Sequence, residues 1–193
     1  MSVGKVVAKK HGHIGQVIFD NVKKHNAMSK DMWDALADAM QDFDADDSVR
    51  VIVLEGAGDK AFVSGADISR FENERANVDR IKEYGVSVNR AYESVQYALK
   101  PTIAKINGYC YGGGMGIAVC TDLRICSEDS SFCIPAAKLG VGVIAGPMAL
   151  TATPSAAHST ADNRLEKSHF TGRPTGRPSF LEQKNRPALV RTV

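Results

Sequence analysis

The sequence predicts an α/β fold, and three observations carry that expectation. Short strand-like runs alternate with longer segments of helical apolar spacing. Two of those runs lead directly into glycine-containing turns. The 193 residues, 44% of them hydrophobic, suffice for one sizeable core but not for two comfortable domains.

Taken in chain order, Val3 to Lys10 and Gly15 to Phe19 read as strands joined at His11, Gly12 and His13, a hairpin turn. Ser29 has the side chain of an N-cap. Met32, Trp33, Leu36, Met40 and Phe43 then follow at the spacing of one helix face, which predicts a buried helix. Val49 to Leu54, with Arg50 near its start and Gly56 and Gly58 beyond it, suits a strand covered on both faces. Val78, Ile81, Val88, Tyr92, Val95 and Leu99 mark a second long helix, closed by Pro101. Ile103 to Ile106 and Leu123 to Cys126 are further short strands, and Gly108, Gly112, Gly113, Gly114 and Gly116 crowd the segment between them.

The pattern breaks near Gly142. Five of the seven prolines lie beyond it, with seven basic against three acidic residues, so the tail nets +4 while the body nets 17 minus 19, or −2. Helical periodicity is absent from Thr151 to Arg164 and from Thr171 to Pro187, where little stable structure is expected. A shifted reading frame or an alternative end would produce such a break. Residues 1–142 are therefore expected to form the core and 143–193 an atypical, poorly ordered tail.

The formal charge of +2 provides no field to recruit nucleic acid or a membrane surface. No apolar run approaches the roughly 20 residues of a membrane helix, and the polar stretch from Met1 to His13 is no signal peptide. Cys110, Cys120, Cys126 and Cys133 stand 10, 6 and 7 apart, which matches no zinc or CxxC spacing. Buried free thiols in the reducing cytoplasm are expected. His11 and His13 lack a third ligand, so no metal site is expected.

Two segments could carry chemistry: Val63 to Ile68, containing Ser64, Gly65, Ala66 and Asp67, and Asn107 to Gly114. In each, small residues let the backbone approach a ligand, and N–H groups at a helix start point outward. Two such donors aimed at one point form an oxyanion hole. Glycines that merely permit tight turns are the simpler alternative for either segment alone. A phosphate cradle is a third, although neither GxxxxGK[ST] nor GxGxxG spacing is present. Asp67 suits a helix cap, Asp122 suits a turn, and His158 and His169 carry no assignment. Tyr109, Tyr111, Cys133 and Lys138 lie near in sequence, and packing or exposure explains each as well as proton donation does.

The strings Lys24-His25-Asn26-Ala27-Met28-Ser29, Val51 to Gly56, Lys60 to Ile68 and Lys105 to Gly114 together resemble the enoyl-CoA hydratase/isomerase (crotonase) family. The resemblance covers about residues 5 to 142. It implies a crotonase-like spiral of ββα units, with the C-terminal helical part missing or replaced. It also implies an acyl-CoA substrate, with coenzyme A as part of that substrate and no separate cofactor, and a homotrimer or hexamer. By position, the N–H groups of Ala66 and Gly113 would hold the thioester oxygen as enolate charge develops. Lys24, His25 and Ala27 would line the coenzyme A track, and Ser64, Asp67, Ile68, Tyr109 and Gly112 would complete the substrate contacts. The family's hydratases place one glutamate two positions after the glycine triplet and another directly after the next proline. Here those positions hold Gly116 and Ala136, which transfer no proton. The position of the aspartate nucleophile in related dehalogenases holds Ile144. Decarboxylation, isomerisation or a non-catalytic coenzyme A-binding role are therefore alternatives to hydration.

Overall fold

A tight hairpin opens the chain. β1 (Lys5–His11) pairs antiparallel with β2 (Ile14–Asp20) from Lys5 opposite Asp20 to His11 opposite Ile14, so only Gly12 and His13 make the turn. The structure, a computed structural model, describes residues 4–74, 76–134 and 190–192. Val3 lies outside them, as do Ala136, Lys138, Ile144, His158, His169 and almost all of the expected tail.

α1 (Lys30–Ala45) begins where Ser29 accepts a hydrogen bond from the Met32 N–H, and it buries Met32, Trp33, Leu36, Met40 and Phe43 as the spacing requires. The chain then repeats one pattern. β3 (Val51–Gly56) enters the large sheet, β4 (Ala61–Val63) enters a small one, and a 3-10 turn with α2 (Phe71–Glu74) and α3 (Val78–Gln96) returns the chain. β5 (Thr102–Ile106), β6 (Tyr109–Tyr111) and α4 (Gly113–Cys120) repeat the move, and β7 (Leu123–Cys126) and β8 (Ser131–Cys133) begin it again. With β9 (Val190–Thr192) the large sheet runs β1-β2-β3-β5-β7-β9, and the small one runs β4-β6-β8. Each unit thus gives its first strand to one sheet and its second to the other, and all pairings after the hairpin are parallel. This is the expected spiral of ββα units.

The core lies between the large sheet and the helices, with Val17, Phe19, Ile52, Leu54 and Ala104 packed against Trp33, Leu36, Met40, Ala91 and Ile117. Three expectations need correction. β3 is covered well on one face only: Ile52 and Leu54 are buried, while Val51 and Val53 stay half-buried because the helices pack on the opposite side. α3 stops at Gln96 rather than reaching Leu99, whose N–H is captured by the Asp44 carboxylate at 3.0 Å. Val78, Ile81 and Leu99 are exposed, and the buried stripe runs through Tyr84, Val88, Ala91 and Val95. The four cysteines are free, but only Cys110 and Cys126 are buried; Cys120 and Cys133 are half-buried.

Candidate functional site

Three segments far apart in sequence meet at the carboxyl ends of β4 and β6. The first is the turn after β2. Residues 22–24 form a 3-10 turn, and His25 and Asn26 both take positive φ, 50° and 57°. Asn26 is held there by its buried amide: Nδ2 donates to the carbonyls of Ala57 and Ala61, and Oδ1 accepts the Asn21 N–H.

This turn is laced to the segment after β4. The Ser64 N–H donates to the His25 carbonyl, and the Ser64 hydroxyl donates to that of Lys24. Lys24 Nζ lies 2.7 Å from Asp67 and 2.6 Å from the Ser69 hydroxyl, so its charge is directed at the buried Asp67. Asp67 also accepts the Ser69 N–H, which makes it the cap of the 3-10 turn Ile68–Arg70. Burial acts to raise the Asp67 carboxyl, but the hydrogen bonds from Lys24 and Ser69 outweigh it and hold it below the usual carboxylate range. The nearly buried Ala27 donates its N–H to the Lys24 carbonyl, while Ile68 is exposed.

Met28 and Ala66 form a parallel bridge in which the Met28 N–H reaches the Gly65 carbonyl and the Asp67 N–H reaches the Met28 carbonyl. That pattern turns the N–H of Ala66 away from Met28, to the side on which β6 pairs with β4. The third segment lies there. Gly112, at φ 50°, donates to the Cys133 carbonyl and caps α4, and Gly113 is the first helical residue. Its N–H has no intrahelical acceptor and carries the positive end of the helix dipole. A Cβ on Gly114 would lie 2.2 Å from the Val63 carbonyl, so only glycine lets the first turn of α4 lie against β4. Among the described residues, neither the Ala66 nor the Gly113 N–H has an acceptor. The rings of His25 and Tyr109 meet edge to face at 5.6 Å, and the Tyr111 hydroxyl hydrogen-bonds Ser131 at 2.9 Å.

Lys24, His25, Ala27, Ser64, Ala66, Asp67, Ile68, Tyr109, Gly112 and Gly113 thus fall in one neighbourhood. Spacing along the chain did not single out Tyr92 as part of it. α3 brings its hydroxyl to 3.4 Å from the Gly113 carbonyl, and a Cβ on Gly116 would lie 2.4 Å from it. Asp122 accepts from the N–H and hydroxyl of Thr102, tying the start of β5 to that of β7. Among the described residues no group of three potential ligands could hold a metal, and no helix is long and apolar enough to cross a membrane. An open hollow lined by Val7, Lys9, Ile18, Asp20 and residues 55–58 contains none of the candidate site residues.

The family model for Enoyl-CoA hydratase/isomerase matches residues 9–166. The short-chain-enoyl-CoA hydratase of Clostridium acetobutylicum is 33% identical over 141 residues, covering 73% of this chain and 53% of that protein. The crotonyl-CoA hydratase of Syntrophomonas wolfei is 31% identical over 141 residues, covering 73% and 54%. Among solved structures, an enoyl-CoA hydratase/carnithine racemase from Magnetospirillum magneticum superposes with a TM-score of 0.69 at 36% identity, over 74% of this chain and 53% of that one. The chain spans about half the length of the curated relatives it matches. With the family's pattern matched over most of its length and the fold shared, the chain belongs to the enoyl-CoA hydratase/isomerase family.

Proposed function

We propose that this chain acts on an acyl-CoA thioester and stabilises the thioester enolate between the N–H groups of Ala66 and Gly113. The observation that carries the reading is the pair of unspent donors, one turned outward by the Met28–Ala66 bridge and one at the head of α4. Fixed N–H groups aimed at developing oxyanion charge lower a barrier by about 3 kcal/mol each where such donors have been removed. Lys24, His25 and Ala27 would border the coenzyme A track, with Ser64, Asp67, Ile68, Tyr109 and Gly112 around the thioester. With that reading go coenzyme A as part of the substrate, no separate cofactor, a cytoplasmic location and a homotrimeric or hexameric assembly; sedimentation of the 193-residue chain tests the last.

Hydration of an enoyl thioester is the family default and the first reaction to test, because two of the curated relatives are named hydratases. The filled space at Gly116 favours a second reading, decarboxylation of a coenzyme A thioester bearing a β-carboxylate. There the bond to the carboxylate breaks, its electron pair enters the enolate, carbon dioxide leaves and the α-carbon takes up a proton, with no base needed to activate water. Calorimetric titration with crotonyl-CoA tests the site first: saturable binding supports the reading, and its absence from a folded chain overturns it. Product analysis then separates 3-hydroxyacyl-CoA from released carbon dioxide.

A further inference from the structure

We propose that the Tyr92 hydroxyl is a catalytic hydrogen-bond donor to the enolate charge of the bound acyl group, working from the space above Gly116. The proposal rests on the acyl-CoA reading above. Its first support is position. The hydroxyl lies 3.4 Å from the carbonyl of Gly113, the residue whose N–H opens α4, and within 3.7 Å of where a Cβ on Gly113 would stand. A Cβ on Gly116 would meet the hydroxyl at 2.4 Å and the ring at 2.7 Å. Tyr92 therefore occupies the room a side chain at 116 would need, over the first turn of α4, where the dipole favours negative charge.

The second support is an unspent donor. At 3.4 Å the contact with the Gly113 carbonyl exceeds the usual O–H···O range of about 2.5–3.0 Å, and it is the only hydrogen bond of this half-buried hydroxyl among the described residues. A hydroxyl shielded by the ring of Trp33 and the backbone of α4 gains from a closer partner, and an acyl oxyanion at the head of α4 would supply one. The third support is rigidity. The Tyr92 ring meets Trp33 edge to face at 5.4 Å, and Trp33 in turn donates through Nε1 to the Tyr84 hydroxyl at 3.1 Å. Burial, then Cys120 and Tyr84, raise the phenol well above its ordinary value. It stays protonated at neutral pH, where it donates a hydrogen bond and accepts no proton from water.

Tyr92→Phe keeps the ring, its contact with Trp33 and the filling of the space at Gly116 while removing only the donor. Calorimetry on the full chain would compare two probes: butyryl-CoA, and a coenzyme A thioether ending in a nitronate, which carries the charge of the enolate. The variant should bind the nitronate about ten- to a hundredfold more weakly, the range for a hydrogen bond to a charged group, with butyryl-CoA affinity within about twofold of the parent. Unchanged nitronate affinity, or an equal loss for both probes, would overturn the role of Tyr92 while leaving the enolate reading standing. A parent chain that binds butyryl-CoA with no preference for the nitronate, or binds neither, would overturn the enolate reading and this proposal with it.

Discussion

Asn26 holds the first site loop in a backbone conformation that few residues tolerate. Its φ of 57° lies in the left-handed region, where asparagine is favoured among side-chain-bearing residues, and its amide is fully engaged in the interior. Asn26→Ala strands the Ala57 and Ala61 carbonyls and the Asn21 N–H, and leaves the strain uncompensated. A loss of about 3 kcal/mol is expected, read from the midpoint of urea unfolding at constant slope. Gly116 sets a second constraint at this scale. Gly116→Glu forces a side chain into the Tyr92 hydroxyl and should cost about 2 kcal/mol or more through overpacking. Adding Tyr92→Ala opens the space, so the double variant should be more stable than the sum of the two single effects by about 1 kcal/mol or more; strict additivity in the unfolding cycle would refute the contact.

At the scale of elements, α1 is capped twice. Ser29 serves the Met32 N–H from within the chain, and Glu74 of α2 accepts the Lys30 N–H at 3.1 Å from across the fold. The other oxygen of Glu74 is buried and without a hydrogen bond among the described residues. Burial pushes this carboxyl up, against the lowering effects of the Lys30 N–H and Arg70. A carboxyl raised in the folded state contributes stability that is complete below its unfolded pKa and is lost as pH rises through the folded value. Glu74→Gln keeps the acceptor without the charge. Its stability should exceed that of the parent once the pH is above the raised carboxyl, with the difference vanishing below the ordinary carboxylate range, as measured by unfolding across a pH series. β6 and α4 carry two cysteines of low reactivity: burial pushes the Cys110 and Cys120 thiols up to about 12. Iodoacetamide at pH 8 should leave both unlabelled in the native chain and label both in urea, as mass mapping would read.

For the whole molecule, acid is the expected route to unfolding. Asp67 and Asp34 are both held below the usual carboxylate range: burial opposes the shift, and the hydrogen bonds from Lys24 and Ser69 to one, and from Lys30 and Ser87 to the other, outweigh it. Groups lowered in the folded state contribute stability that is present above the unfolded value of about 3.9 and is lost as pH falls through the folded one. Circular dichroism should therefore show stability falling steeply below about pH 4. Lys24→Met, which leaves the buried Asp67 without its cation, should move that acid transition to higher pH; an unmoved transition would show that the Lys24–Asp67 pair does not couple the two loops.

The part of this fold that neighbouring residues dictate is local. Ser29 as a cap, the five-residue apolar face of α1, a hairpin turn around Gly12 and the two strand-to-glycine turns all follow from residues within a few positions of one another, whose backbone preferences act before any packing; that His11 pairs with Ile14 and leaves only Gly12 and His13 in the turn came from the structure. The order of four motifs was enough for the family and its spiral. Which face of β3 is covered came from packing, because Val51 and Ile52 are equally apolar and the helices can pack on one side alone. Packing likewise decided that Lys24 spends its charge on Asp67, 43 residues away, and that Tyr92, an ordinary member of a helical stripe, fills the space above Gly116. Such contacts depend on where separate elements come to rest against each other, and that is set by burying the summed apolar surface of the chain, which no window of neighbouring residues contains.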